Sequence, residues 1–236
     1  MNNQKLAALI AAINSMKKID LTRPLETGMP AWPTQARFGS VIYDSYEYGG
    51  IALHSQITMS EHTGTHIDAP AHFIPGAVTI DNVEPGALMG RAVKIDVSGF
   101  RGGQLAAEAI IDFEKKEGPI LGGDIVLFRY GWDDKYAIQP GAGEYLKDWP
   151  GLSAGAAELL AGRKIRAAGC DTLSLDEFGS RDNCAHLILL GKGIPIMENI
   201  CNLSKLPIFS FVIGMPLKIK NGSGSPVRLT AFTEET

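Results

Sequence analysis

The stretch SEHTGTHIDAPAHF, residues 60–73, carries three of the five histidines in this chain of 236 residues. His62, His66 and His72, with Asp68 among them, form a candidate metal-ligating set. A helix would put His62 and His66 on one face, but Gly64 and Pro70 both oppose helix and Asp68 would point away. In an extended chain the four even-numbered side chains all leave the same side. A straight strand, however, would hold His62 and His66 roughly 13 Å apart, too far for one ion. The chain is therefore expected to curl at Thr63-Gly64-Thr65, where glycine permits unusual dihedrals. His66 and Asp68, about 6.6 Å apart along a strand, converge without distortion, and Pro70 turns the chain again to set His72 beside the ion. Imidazole and carboxylate donors suit zinc, manganese or iron, and the absence of cysteine from this window argues against a closed structural zinc knot.

Working outward, the punctuation predicts a mixed α/β chain with more strands than helices. Strands are expected at Ile19–Leu21, Ala92–Val97, Ile125–Tyr130, Ile194–Glu198, Phe209–Leu217 and Val227–Phe232, with a further one begun by Ala167–Cys170 and Thr172–Leu175. Val41–Tyr48 and Ala52–Met59 read as a hairpin about Gly49-Gly50. Helices are expected over Ala106–Glu117, over Ser153–Arg163 with Ser153 as its cap, and through Leu187–Leu190. The expectation is one domain over residues 1–236, with helices outside a central β structure. Residues 1–16 are read as an N-terminal helical arm, helical from 3 and ending near Ser15. The apolar run LAALIAAI spans only eight residues before Lys17 and Lys18, which disfavours a signal peptide.

Composition excludes several functions. A formal charge of −4 and a pI near 5.7 disfavour nucleic acid and anionic membranes as partners. No apolar run is long enough to span a bilayer. Cys170, Cys184 and Cys201 have no framework spacing and fit free thiols in a reducing cytoplasm. No Gly-x-Ser-x-Gly elbow supports a serine hydrolase, and NGSGSPVR lacks the context of a phosphate loop; it reads as a turn into the last strand with Ser223 or Ser225 near the site. Downstream, His186 opens and Glu198 closes the run HLILLGKGIPIME. An ionised Glu198 at the end of an apolar strand requires a partner. Asp68 could then bridge two ions, with His62 and His66 on one and His186 and Glu198 on the other.

HTGTHIDAPAHF resembles the His-x-Gly-Thr-His-x-Asp-x-Pro-x-His-Phe signature of the cyclase family of metal-dependent hydrolases, which includes kynurenine formamidases and isatin hydrolases. Similar pieces flank it: Asp20-Leu21-Thr22 with Pro24-Leu25, Pro30-Ala31-Trp32-Pro33, the segment DTLSLD at 171–176, and Gly222–Arg228. The resemblance implies a β-rich α/β fold of the swivelling β/β/α type, forming a homodimer or homotetramer. It implies His62, His66 and Asp68 as ligands of a first metal, Asp68, His186 and Glu198 as ligands of a second, His72 as the catalytic histidine and Trp32 as an aromatic face for substrate. The implied cofactor is one or two Zn2+ or Mn2+ ions per chain. Two departures stand out: Leu187 replaces an arginine common after the position of His186, and Thr65 replaces an alanine common among the formamidases.

The expected reaction is hydrolysis of a C–N amide bond in a small aryl formamide, isatin-like lactam or other cyclic amide. Metal-activated water attacks, and His72 serves as general base and then general acid. A glycine-lined wall is expected to leave room for substrate. The rival readings are a mononuclear non-haem metal lyase or oxygenase, since two histidines and a carboxylate would serve iron, and a non-catalytic metal-binding protein. Tyr43, Tyr46 and Tyr48 read as strand-surface residues.

Overall fold

The computed structural model describes residues 3–234. Helix α1 (Gln4–Ser15) leads into strand β1 (Lys17–Asp20), and the hairpin follows as β2 (Gly39–Asp44) and β3 (His54–Thr58). Tyr46–Tyr48, expected to extend the first hairpin strand, instead form a 3-10 turn in which the Tyr48 amide donates to the Ser45 carbonyl. The motif supplies only a three-residue strand, β4 (His66–Asp68). Next come β5 (Met89–Asp96), β6 (Gln104–Leu105), α2 (Ala107–Glu117), β7 (Ile125–Arg129), β8 (Gly151–Leu152), α3 (Ala154–Gly162) and β9 (Ala167–Cys170). The chain ends with α4 (Cys184–Gly191), β10 (Ile196–Glu198), β11 (Phe209–Pro216) and β12 (Gly224–Thr233).

Eight strands form one sheet in the order β1-β12-β11-β5-β7-β9-β10-β4, and β4 also pairs with β12. That last pairing closes the sheet into a barrel. Strands β5, β7, β9 and β10 run parallel; the remaining pairs in this sheet are antiparallel. The run IVLF in β7 shows why the parallel strands are continuously apolar. Ile125 and Leu127 face the barrel interior with Ile67, Met197, Val212 and Leu229, whereas Val126 and Phe128 face the helices. Side-chain alternation thus feeds two cores from one strand. Helices α2, α3 and α4 cover the outer face, contributing Ile110, Leu160 and Leu189. The arrangement is the expected α/β fold with helices outside a central β structure.

Thr172–Leu175 do not extend β9. The Thr172 hydroxyl donates to the Ser174 carbonyl and the Leu175 amide donates to Glu198, so this backbone serves side chains rather than a ladder. Helix α1 buries none of its residues within the chain, and Leu6, Leu9 and Ile10 stay at least half exposed. Residues 1 and 2 of the expected arm lie outside the described residues.

Candidate metal centre and active site

Strand β4 places the first candidate ligands by alternation: Ile67 enters the barrel core, while His66 and Asp68 face the other way. Antiparallel pairing with β10 sets Glu198 opposite His66. On the other edge, Gly224 of β12 sits opposite Asp68. A Cβ there would stand 2.5 Å from His62 Cε1 and 2.7 Å from the Ile67 carbonyl, so only glycine lets His62 fold back over the strand. The curl that returns His62 has Gly64 at φ +64°. Pro70–His72 form a 3-10 turn, which lays the His72 ring on His62 with centroids 3.9 Å apart. Of the expected extended run only β4 is a strand; the glycine and proline turns provide the convergence.

His186 arrives from the first turn of α4. Asn183, the residue before that helix, has φ +45° and makes no side-chain cap. Asp176 caps it instead, accepting from the amides of Ala185 (2.8 Å) and His186 (3.3 Å). The same carboxylate lies 2.5 Å from His186 Nδ1, which turns Nε2 toward Asp68 Oδ2 (3.1 Å) and Glu198 Oε1 (3.2 Å).

Each of these three histidines is tied from behind. His66 Nδ1 donates to the Gly64 carbonyl at 2.8 Å, leaving Nε2 at 3.3 Å from Asp68 Oδ1 and 3.5 Å from Glu198 Oε2. Ser223 has one hydroxyl proton, which it gives to Glu61 at 2.8 Å; its oxygen therefore accepts from His62 Nε2 at 2.9 Å. His62 Nδ1 then points its lone pair at Asp68 Oδ1, 2.6 Å away. Lone pairs on nitrogen facing carboxylate oxygens repel unless a cation lies between them. Neighbouring donors on one ion with bonds of about 2.0–2.2 Å stand about 2.8–3.6 Å apart, as the His66 and His186 nitrogens do from Asp68 and Glu198. The donor set therefore fits a divalent metal. Donor atoms of His66, Asp68 and Glu198 lie within 4.8 Å of one another, as do those of His62, Asp68 and His72.

Without a metal, protons fill that role. Burial disfavours the His186 imidazolium, yet Asp176, Asp68 and Glu198 outweigh it and hold the ring well above the usual range. Burial likewise opposes ionisation of Asp68, but hydrogen bonds from His186, His62 and His66 hold its carboxyl well below its usual range. His66 is raised because Asp68, Glu198 and the Gly64 carbonyl overcome its burial. His72 goes the other way, pushed down to about 4 by burial and by three neighbouring histidines, with Asp68 opposing.

These groups open on a chamber of about 310 Å3 whose walls include Trp32, Gln35, Phe73, Leu173 and Asn183. Instead of the expected glycine wall, aromatic and polar side chains line the chamber among the described residues. Trp32, 40% exposed, lies edge-on to Trp149 at 6.0 Å. Gln35 Oε1 is buried without a partner among the described residues. Leu187 is 46% exposed and does not line the chamber. Thr65 binds inward, donating to the Asn199 carbonyl at 2.7 Å and accepting from the Arg23 amide at 3.0 Å. No role was assigned from sequence to Glu61, which adjoins His62 within the motif, or to Asp176 and Gln35, which share no short-range pattern with the candidate ligands. A shared family segment, DTLSLD, was the one available signal for Asp176.

The family model Cyclase ("Putative cyclase") matches residues 19–177, about two thirds of the chain. The chain belongs to the cyclase family of metal-dependent hydrolases. A kynurenine formamidase from Bacillus thuringiensis (strain Al Hakam) is 32% identical over 211 residues, 89% of this chain and 94% of that protein. Isatin hydrolase A from Labrenzia aggregata, solved bound to benzyl benzoate, superposes with a TM-score of 0.86 at 32% identity, covering 99% of each chain. An isatin hydrolase bound to the product analogue thioisatinate gives 0.88 at 26% identity over the whole of both chains. These cyclase-family likenesses extend past the match of the family model, through His186 and Glu198.

Proposed function

We propose that this protein hydrolyses the C–N bond of a small aryl formamide, isatin-like lactam or other cyclic amide. The class is an amidohydrolase acting on C–N bonds other than peptide bonds, in keeping with the formamidase and isatin hydrolase relatives. The observation that carries the reading is the set of back-tied histidines around Asp68, facing one chamber that also holds His72. Asp68 divides its oxygens, Oδ1 toward His62 and His66 and Oδ2 toward His186. This division supports two ions, one at His62, His66 and Asp68 and one at Asp68, His186 and Glu198. Zinc and manganese both suit these donors. Bound there, a divalent ion supplies Lewis acidity and a lowered pKa to water.

His72 is the acid and base. No hydrogen bond engages its ring among the described residues, so both nitrogens are free for proton transfer. It takes a proton from water as the water oxygen bonds to the carbonyl carbon. It then gives that proton to the leaving nitrogen as the C–N bond breaks. Trp32 and Phe73 offer aromatic faces to the substrate, and the unpaired Gln35 oxygen accepts an N–H from it. A homodimer or homotetramer is supported by exposed Val41, Tyr43 and Ile57 on the β2–β3 hairpin and by the uncovered α1. A cytoplasmic setting is supported by three free thiols, and no helix among the described residues is long and apolar enough to cross a membrane.

The test is hydrolysis of formanilide and isatin by zinc- or manganese-loaded protein, beside His72→Ala. Turnover is expected to fall at least a hundredfold in the variant while metal content stays unchanged. Full activity in the variant would remove His72 from this role.

A further inference from the structure

The catalytic chamber does not end at Trp32. A second cavity of about 250 Å3 adjoins it and shares Trp32, Leu173, Ser174 and Asn183 as walls. Its other walls carry Leu146, Trp149 and Phe178 together with the charged Arg37, Asp176 and Glu177, and most of their exposed area is apolar. The aromatic walls interlock edge to face, Trp32 on Trp149 at 6.0 Å and Trp149 on Phe178 at 4.9 Å. Trp149 spends its indole N–H on the Asp176 carbonyl at 2.9 Å, so it offers the cavity carbon surface alone. The Trp149 side also joins the buried cluster of Trp132, Tyr145 and Leu173, which fixes that wall in place.

We propose that this annex is a substrate subsite, and that the protein's substrates carry a second, uncharged aromatic or bulky apolar group beyond the ring that bears the scissile amide. The proposal rests on the amidohydrolase reading above and adds the shape of the substrate. Size supports it. Pockets for drug-sized ligands run from about 300 to 1,000 Å3, and the catalytic chamber alone stands at that floor while also receiving the metal ligands. A single-ring amide fills the chamber; a two-ring amide needs the annex. Chemistry supports it as well, because edge-to-face aromatic walls attract a further ring. Continuity decides the occupant: the shared walls make the annex an extension of the space in which the amide reacts.

The experiment compares formanilide with N-formyl-4-benzylaniline on metal-loaded protein. Wild type is expected to favour the two-ring substrate at least tenfold in kcat/KM. Leu146→Trp, which fills the annex, is expected to bring the ratio near unity. Phe178→Ala, at a side chain 45% exposed, is expected to lower the ratio severalfold. Equal kcat/KM for both substrates in wild type would overturn the proposal, and so would a preference that survives Leu146→Trp. If neither formamide is hydrolysed, the aryl formamide branch of that reading fails and the annex is tested separately. Quenching of tryptophan fluorescence by 4-benzylaniline is then compared with quenching by aniline. Tighter binding of the larger amine, lost in Leu146→Trp, sustains the subsite, and equal binding removes it.

Discussion

Asp68 works because three histidines approach it with their other nitrogen already engaged, so the supporting groups matter nearly as much as the ligands. Asp176 is the clearest case, since it both caps α4 and turns His186. Asp176→Asn keeps an oxygen for the Ala185 amide but loses the carboxylate that faces Nδ1. Metal affinity is expected to drop about 10- to 100-fold. Competition with a chelator measures it, and an unchanged affinity would leave Asp176 a cap alone. Gly224 gives a steric counterpart. In Gly224→Ala the new methyl would meet His62 Cε1 and the Ile67 carbonyl, so either the ring or β12 must move. The expected cost is about 1–3 kcal/mol of stability with a loss of metal binding at the His62 side. Denaturant unfolding and metal titration would read the two effects separately.

At the scale of elements, legibility followed locality. Helices α2 and α3 were readable because their spacing and ends are written in adjacent residues; Ser153 accepts from the Ala156 amide as its place before α3 foretold. Ser153→Ala is expected to cost about 1 kcal/mol, observable as a lower denaturant midpoint with an unchanged slope. Strand β4 was readable in parity, since His66 and Asp68 do share a face, but not in extent. The flanking curl and 3-10 turn depend on Gly224 and on the return of β12, over 150 residues away in the chain. The pairing of Glu198 with His66 is a matter of register between β10 and β4, which no local pattern encodes. Asp176 was illegible for a different reason. It supports His186 from an irregular loop whose backbone amides bond to side chains, so neither helical nor strand periodicity marks it.

The molecule as a whole also stores a buried charge away from the site, with a consequence for stability. Asp171 follows β9 and collects the amides of Tyr130, Trp132 and, more distantly, Asp133, tying the end of β7 to the end of β9. Burial pushes its carboxyl up to about 6 in spite of those three donors. The unfolded value is 3.8, so between the two the folded state binds more protons than the unfolded state. Stability from this group therefore rises as pH falls, opposite in sign to the lowered carboxyl of Asp68. Above about pH 6 the ionised form bears its full burial penalty; below about pH 4 the penalty is gone. From about pH 7 to about pH 5 the contribution grows by about 1 kcal/mol. Asp171→Asn removes the titration while keeping an acceptor for one amide. The free-energy difference between wild type and variant, from urea unfolding of metal-free protein at both pH values, isolates Asp171 because the remaining groups cancel. Wild type is expected to gain on the variant at the lower pH. A difference that stays flat, or moves the other way, would mean that the three amides hold Asp171 ionised and that burial does not dominate.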